Sequence, residues 1–204
     1  MFIAEVGGVE APDTATARAA YGVCAEYAEI GLRNHSVRSY FWAASVGAAR
    51  GIGFDAELLY VAALLHDLSL TAPFDSHTLA FEEAGAQLAR VFAAGAGWAE
   101  PRRDRLAEII VLHMRDAVPA EADPESHLLQ IAVGADVSGR ALDSFDPDFA
   151  AALLTAVPRA GFAPAFLHAA RDQAERKPTS AAAELMRSGW AERISGNPLD
   201  RSDR

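Results

Sequence analysis

The longest uninterrupted apolar run in the chain, Leu58–Leu65 (LLYVAALL), ends directly on a histidine and an aspartate, His66–Asp67. Such a run places its segment inside the protein, and it is far too short to cross a bilayer. An ionisable pair that closes it sits in the interior, where a charge is costly unless something pairs with it. Whatever this chain folds into must supply that partner.

The rest of the sequence says what surrounds the run. The chain has 204 residues, 51% of them apolar, which is enough for one domain with a substantial core and too apolar for general disorder. Alanine, the strongest helix former, is abundant, and alternating stretches rich in valine, isoleucine and threonine are missing. The expected fold is all-α, a single-domain helical bundle spanning residues 1–204. No repeat, low-complexity linker or sharp composition shift divides it. Helices are expected from about Thr14 to Leu32, and from Asn34, as N-cap, to about Arg50 before the Gly51–Gly53 break. Asp55 caps a third that runs to about Asp67, and a loop with Pro73 follows. Further helices are expected over Thr78–Ala94, Asp104–Met114, Pro124–Gly139, Asp148–Ala156 and Ala163–Arg176. The stretch from Pro178 onward reads as a short helix and a tail.

A net charge of −10 and a pI near 5.0 argue against nucleic acid or an anionic membrane as partner, since either needs a basic patch. A small phosphorylated ligand, which needs only two or three local cations, stays open. The N-terminus has no basic residue before Arg18 and no long apolar core, so no secretory leader is expected. The single cysteine, Cys24, excludes an intrachain disulfide and a cysteine zinc cluster and reads as a small buried apolar residue. A reducing, cytoplasmic setting fits best, and the chain is free to form a homo-oligomer.

The informative positions are ionisable residues where helical periodicity expects burial. His113 continues the apolar face of Leu106, Ile109 and Ile110; Asp136 continues that of Leu129 and Ala132. His35 opens the helix whose inward face runs through Val37, Tyr40, Phe41 and Ala44. Taken singly, each has an ordinary reading: His113 as a core histidine bonded to a backbone carbonyl, Asp136 as a cap or a partner to a neighbouring loop. Taken together they share one solution, because a metal ion serves imidazole and carboxylate at once.

The ordered set His35, His66–Asp67 and Asp136, with N-H-S upstream, LLHD closing an apolar helix and A-D-V-S-G downstream, resembles the HD-domain superfamily of metal-dependent phosphohydrolases. By motif the resemblance covers about residues 30–140, and the C-terminal helices would complete the bundle. It implies that His35, His66, Asp67 and Asp136 are four ligands to one divalent transition metal. Two imidazoles and two carboxylates suit zinc foremost, with iron, manganese, nickel or cobalt as alternatives. Nucleotidase-like and guanosine-tetraphosphate hydrolase branches carry a glutamate three residues after the HD aspartate; here that residue is Leu70. The stretches NHSVRSY, LLHDLSLT and FEEAGA, with Thr71, Phe81, Glu82, Gly85 and Ala86, look instead like the cyanamide hydratase branch, which adds water across a nitrile.

Around this set, His113 is expected to line the site or donate a proton, and Thr71 to bond water or substrate. His77, Glu82, Arg38 and Arg115 are candidates for substrate contact or for orienting ligands. Aromatic residues near the motifs (Phe41, Trp42, Phe74, Phe81) favour a small neutral pocket, a preference that convergent Arg38 and Arg115 would reverse. The expected activity is hydration of a small nitrile-like substrate by metal-activated water. The alternatives are a phosphomonohydrolase acting on a nucleotide or related phosphate, and a non-catalytic regulatory module.

Overall fold

The computed structural model describes residues 2–201. The helices are α1 (Ala15–Tyr27), α2 (Ile30–Arg50), α3 (Ala56–Leu65), α4 (Phe81–Gly95), α5 (Glu100–Leu112) and α6 (Pro124–Ser138). They are followed by α7 (Pro147–Ala156), α8 (Phe162–Arg176), α9 (Ala181–Arg187) and α10 (Trp190–Ser195). The all-α expectation holds. One departure is a hairpin of two-residue strands, β1 (Glu5–Val6) and β2 (Val9–Glu10), paired antiparallel with Val6 opposite Val9. Gly7 and Gly8 turn it with φ of 55° and 81°, so the V-G-G-V signal for a tight turn was present in a segment too short to alternate.

Several helix starts carry side-chain caps. The Thr14 hydroxyl accepts from the Ala17 amide, Asp55 from Leu58, Asp123 from Ser126 and Asp146 from Phe149. Asn34, expected to cap α2, does not. The helix starts a turn earlier, at Ile30, and Asn34 lies inside it with Nδ2 donating to the Pro158 carbonyl at 2.8 Å. His35 therefore stands in the second turn of a 21-residue helix, not at its opening. Two other starts also come earlier or later than expected: α5 at Glu100 and α4 at Phe81.

The axis of the molecule is α2. It packs on α3, α6 and α8, and residues Asn34 to Ala44 are all buried. Over that stretch α2 has no solvent face to hold its polar residues, so Asn34, His35, Ser36, Arg38 and Ser39 lie in the interior. On one stripe of it, at i, i+4, i+7 and i+11, stand Gly31, His35, Arg38 and Trp42. Gly31 is there for close approach: a Cβ would come within 3.1 to 3.2 Å of the Phe162 and Ala160 backbone. Gly85 does the same for α4, where a Cβ would stand 2.9 Å from the His66 carbonyl oxygen. The glycine of the F-E-x-x-G-A segment thus lets α4 cross the turn that carries His66 and Asp67. Among the described residues no helix is long and apolar enough to cross a membrane.

Candidate metal centre

After Leu65 the helix α3 gives way to a single 3-10 turn, Leu68–Leu70, which the Thr71 hydroxyl closes by donating to the Leu68 carbonyl at 2.7 Å. That change of pitch turns both His66 and Asp67 toward α2. There His66 Nε2 lies 3.2 Å from His35 Nε2, and Asp67 Oδ2 lies 3.2 Å from His66 Nε2 and 3.4 Å from His35 Nε2. His113, at the C-terminal end of α5, brings its Nε2 to 3.8 Å from Asp67 Oδ1. All four side chains are 4% exposed or less.

Hydrogen bonds on the far side of each ring set the tautomers. His35 Nδ1 lies 2.7 Å from Asp136 Oδ2, His66 Nδ1 lies 2.8 Å from the Ala63 carbonyl, and His113 Nδ1 meets the Ile110 carbonyl. Each Nδ1 therefore carries the proton, and each Nε2 presents a lone pair to the centre. Neither oxygen of Asp67 has a hydrogen-bond partner. Three imidazole lone pairs and a bare carboxylate thus converge with no donor among them. An isolated buried carboxylate of this kind is costly, and a cation removes the cost. The spacing fits one: two ligands each about 2.1 Å from a common ion at a near-tetrahedral angle stand about 3.4 Å apart. His35, His66 and Asp67 are a buried His–His–Asp cluster compatible with a divalent metal.

Where no cation is bound, extra protons on the imidazoles serve Asp67 in its place, and the pKa directions show the same demand for positive charge. Burial pulls the His35 pKa down, but Asp136 and Asp67 outweigh it and the net shift is upward, as expected where a positive charge is wanted. Burial opposes the charge on Asp67, yet His66 and His35 hold its pKa far below the usual carboxylate range. Burial, reinforced by His66, lowers His113 to about 4, so it is neutral at pH 7.

Asp136 stands elsewhere than expected. Its carboxylate faces away from His66 and Asp67, on the Nδ1 side of His35. Arg38 grips it with a two-pronged fork, Nε to Oδ1 at 2.7 Å and Nη2 to Oδ2 at 2.8 Å, and Trp42 Nε1 adds a bond to Oδ1 at 3.0 Å. Arg159 lies 3.6 Å away and also bonds the Asp136 carbonyl, as does Asn197. With donors on both oxygens, Asp136 fixes the orientation and tautomer of His35 and stands outside the His35–His66–Asp67 cluster. Of the two roles expected for Arg38, its surroundings match the orienting one: it is fully buried and spends its remaining donors on the Val157 and Pro158 carbonyls.

The other candidates divide. His77 is exposed in the loop before α4 and makes no hydrogen bond or ion pair with the cluster. Arg115 is exposed, in a cleft of about 80 Å³ whose lining also includes His113, Arg140 and Arg193. Glu82 is buried with Oε2 unpartnered, and burial raises its pKa; it lines a polar cavity that Arg115 and Lys177 share, not the cluster. Thr71 lines an apolar groove beside the centre. Trp42 belongs to the Asp136 network, and Phe81 packs edge-on to His113 at 5.8 Å.

Sequence reasoning missed Arg159, Asn197, Phe162 and Phe166. The Phe162 ring stacks on His35 at 4.4 Å and 13°, and Phe166 lies 6.1 Å from it. A signal for the Asp136 network did exist. His35, Arg38 and Trp42 share one helix face, and an arginine there needs a buried anion. Arg159 and Phe162 sit in a V-P-R-A-G-F segment that carries no periodicity.

Against models of protein families, the HD domain matches residues 32–138. No curated protein matches the chain.

Proposed function

The chain belongs to the HD-domain family, and from that premise we propose that it is a metal-dependent enzyme that turns water on a small uncharged substrate, hydrating a nitrile to an amide. The observation that carries this reading is the donor-free centre in which His35, His66 and His113 lone pairs meet the unpartnered Asp67. His35, His66 and Asp67 would hold the ion. A divalent transition metal there supplies a Lewis acid that makes water nucleophilic near neutral pH.

The protein's own groups do the rest. Asp136, clamped by Arg38 and Trp42, holds the His35 lone pair on target, and the Ala63 carbonyl does the same for His66. In hydration, water oxygen bonds to the nitrile carbon as one C–N π bond opens and nitrogen takes the first proton; the second proton then passes from oxygen to nitrogen as the remaining C–N π bond is replaced by C=O, so no group leaves. His113 is the base at hand to take a proton from water and return it to nitrogen. Its pKa of about 4 keeps it neutral beforehand and makes it a ready donor afterwards.

Two observations support hydration over phosphate hydrolysis. The position three residues after Asp67 is Leu70, so the carboxylate of the phosphohydrolase branches is missing. Arg38 is committed to Asp136 and no longer available to a phosphate. The alternative has one observation in its favour, the Arg115, Arg140 and Arg193 cleft that reaches His113. A complete His–His–Asp cluster weighs against a purely regulatory module.

The test is a substrate panel on zinc-, iron- and manganese-loaded protein: cyanamide, simple nitriles, nucleoside monophosphates and an aryl phosphate. Amide or urea formation from a nitrile, with no phosphate released, is the expected result. Phosphate release alone would transfer the assignment to the phosphomonohydrolase.

A further inference from the structure

A groove of about 610 Å³ runs between the α1–α2 junction, the turn after Asp67 and the start of α8. His35, His66, Asp67 and His113 lie behind its lining, and three of its walls adjoin them. Gly31 stands one helical turn before His35. Leu70 and Thr71 follow Asp67 by three and four residues. Phe162, stacked on His35, and Phe166 form the partition between groove and cluster.

The lining has a definite chemistry. No lysine, arginine or histidine is part of it, and its one charged residue, Glu29, is solvent-exposed. Leucine, isoleucine, phenylalanine, alanine, glycine and proline make up most of the surface. Tyr27 and Ile30, large side chains 44% and 47% exposed, belong to it. The Thr71 hydroxyl, whose hydrogen is given to Leu68, offers a lone pair. An anion finds no counter-charge here, and a three-atom substrate such as cyanamide would leave almost all the space to water. Volumes of this size and character hold ligands with an apolar body.

We infer that the groove is the substrate subsite, and that the substrate is an uncharged molecule with an aryl or extended alkyl body whose reactive group points past Phe162 to the metal centre. This rests on the metalloenzyme reading and narrows it from small nitriles to substituted ones.

The experiment is an NMR titration of the full-length protein, metal-free and zinc-loaded, with benzamide and with phenyl phosphate. The variants Ala165→Trp and Ala169→Trp fill the groove from the outer side of α8, away from the core. The expected result is benzamide binding that shifts resonances of Ile30, Leu70 and Phe166, weakens about tenfold or more in each folded variant, and has no phenyl phosphate counterpart. No benzamide binding to the wild type, unchanged binding in both variants, or equal binding of phenyl phosphate in the groove would overturn the inference. Metal content, measured on the same samples, separates the two claims. Protein that takes up no zinc yet binds benzamide in the groove would count against the metal reading and support the groove's ligand class. Zinc-loaded protein that hydrates nitriles but is indifferent to both tryptophans would count against the groove alone.

Discussion

Replacing Asp136 by asparagine removes one negative charge from a pocket that buries two guanidiniums. Arg38 is 0% exposed and Arg159 1% exposed, so neither can recover its loss from water. The amide also turns one acceptor oxygen into a donor. That donor would face either Arg38 Nη2 and His35 Nδ1, or Arg38 Nε and Trp42 Nε1, so two bonds fail whichever way the side chain sits. Breaking one side of a buried pair costs about 3–5 kcal/mol. For a chain of this length that lowers the melting temperature by about 10 °C. Losing its acceptor frees the His35 ring and tautomer, which weakens metal binding by about 10- to 100-fold without removing it. Thermal unfolding and competition against a chromophoric chelator read the two effects separately. A shift under 2 °C with unchanged affinity would refute the clamp. Metal loss as complete as that of an Asp67 variant would make Asp136 a direct ligand after all.

Gly31→Ala drives a Cβ into the backbone of residues 160–162, which has no rotamer with which to move aside, and should cost about 1–3 kcal/mol in urea unfolding. A neutral outcome would mean α2 and α8 slide freely. His113 gives a pH signature. The unfolded chain protonates it below about pH 6.5 and the folded chain only near pH 4, so its stability contribution is lost as pH falls through that window. Metal-free wild type should therefore lose about 2 kcal/mol more between pH 7 and pH 5 than His113→Gln does. Equal losses would place His113 outside the buried cluster. Leu70→Glu puts a carboxylate in the wall of the groove, three residues after Asp67. Nitrile hydration should fall about tenfold or more, since desolvating a carboxylate exceeds the 1.4 kcal/mol of one decade. Retention of full activity would show that the substrate does not pass Leu70.

Much of this was legible in the sequence, for identifiable reasons. The all-α class followed from alanine and from missing alternation. His66–Asp67 was marked by the apolar run before it, and His113 by its place on the Leu106–Ile110 face. One ordinary reading of a single residue also matches the structure, since His113 does bond a backbone carbonyl, whereas the Asp136 carboxylate bonds side chains of α2 and neither caps a helix nor bonds a loop backbone. The placement of Asp136 on the Nδ1 side of His35 was not legible, because helical phase gives the face of a residue and not which nitrogen of a distant ring it reaches. Asn34 looked like a cap because local propensity favours it there. The packing of α2 against Pro158 overrode that preference, and only the tertiary structure contains that contact. Phe162 and Arg159 escaped because irregular segments carry no period, although they form the partition and the outer clamp of the site.

The central claim is that His35, His66 and Asp67 together hold one divalent transition metal. Elemental analysis of purified protein, reconstituted with zinc, iron or manganese and freed of excess, tests it directly against Asp67→Ala. About one equivalent of metal is expected in the wild type and less than about a tenth in the variant, which loses the only carboxylate in the triad. A wild type that takes up no metal under any of these conditions, or an Asp67→Ala protein that keeps its full equivalent, would contradict it.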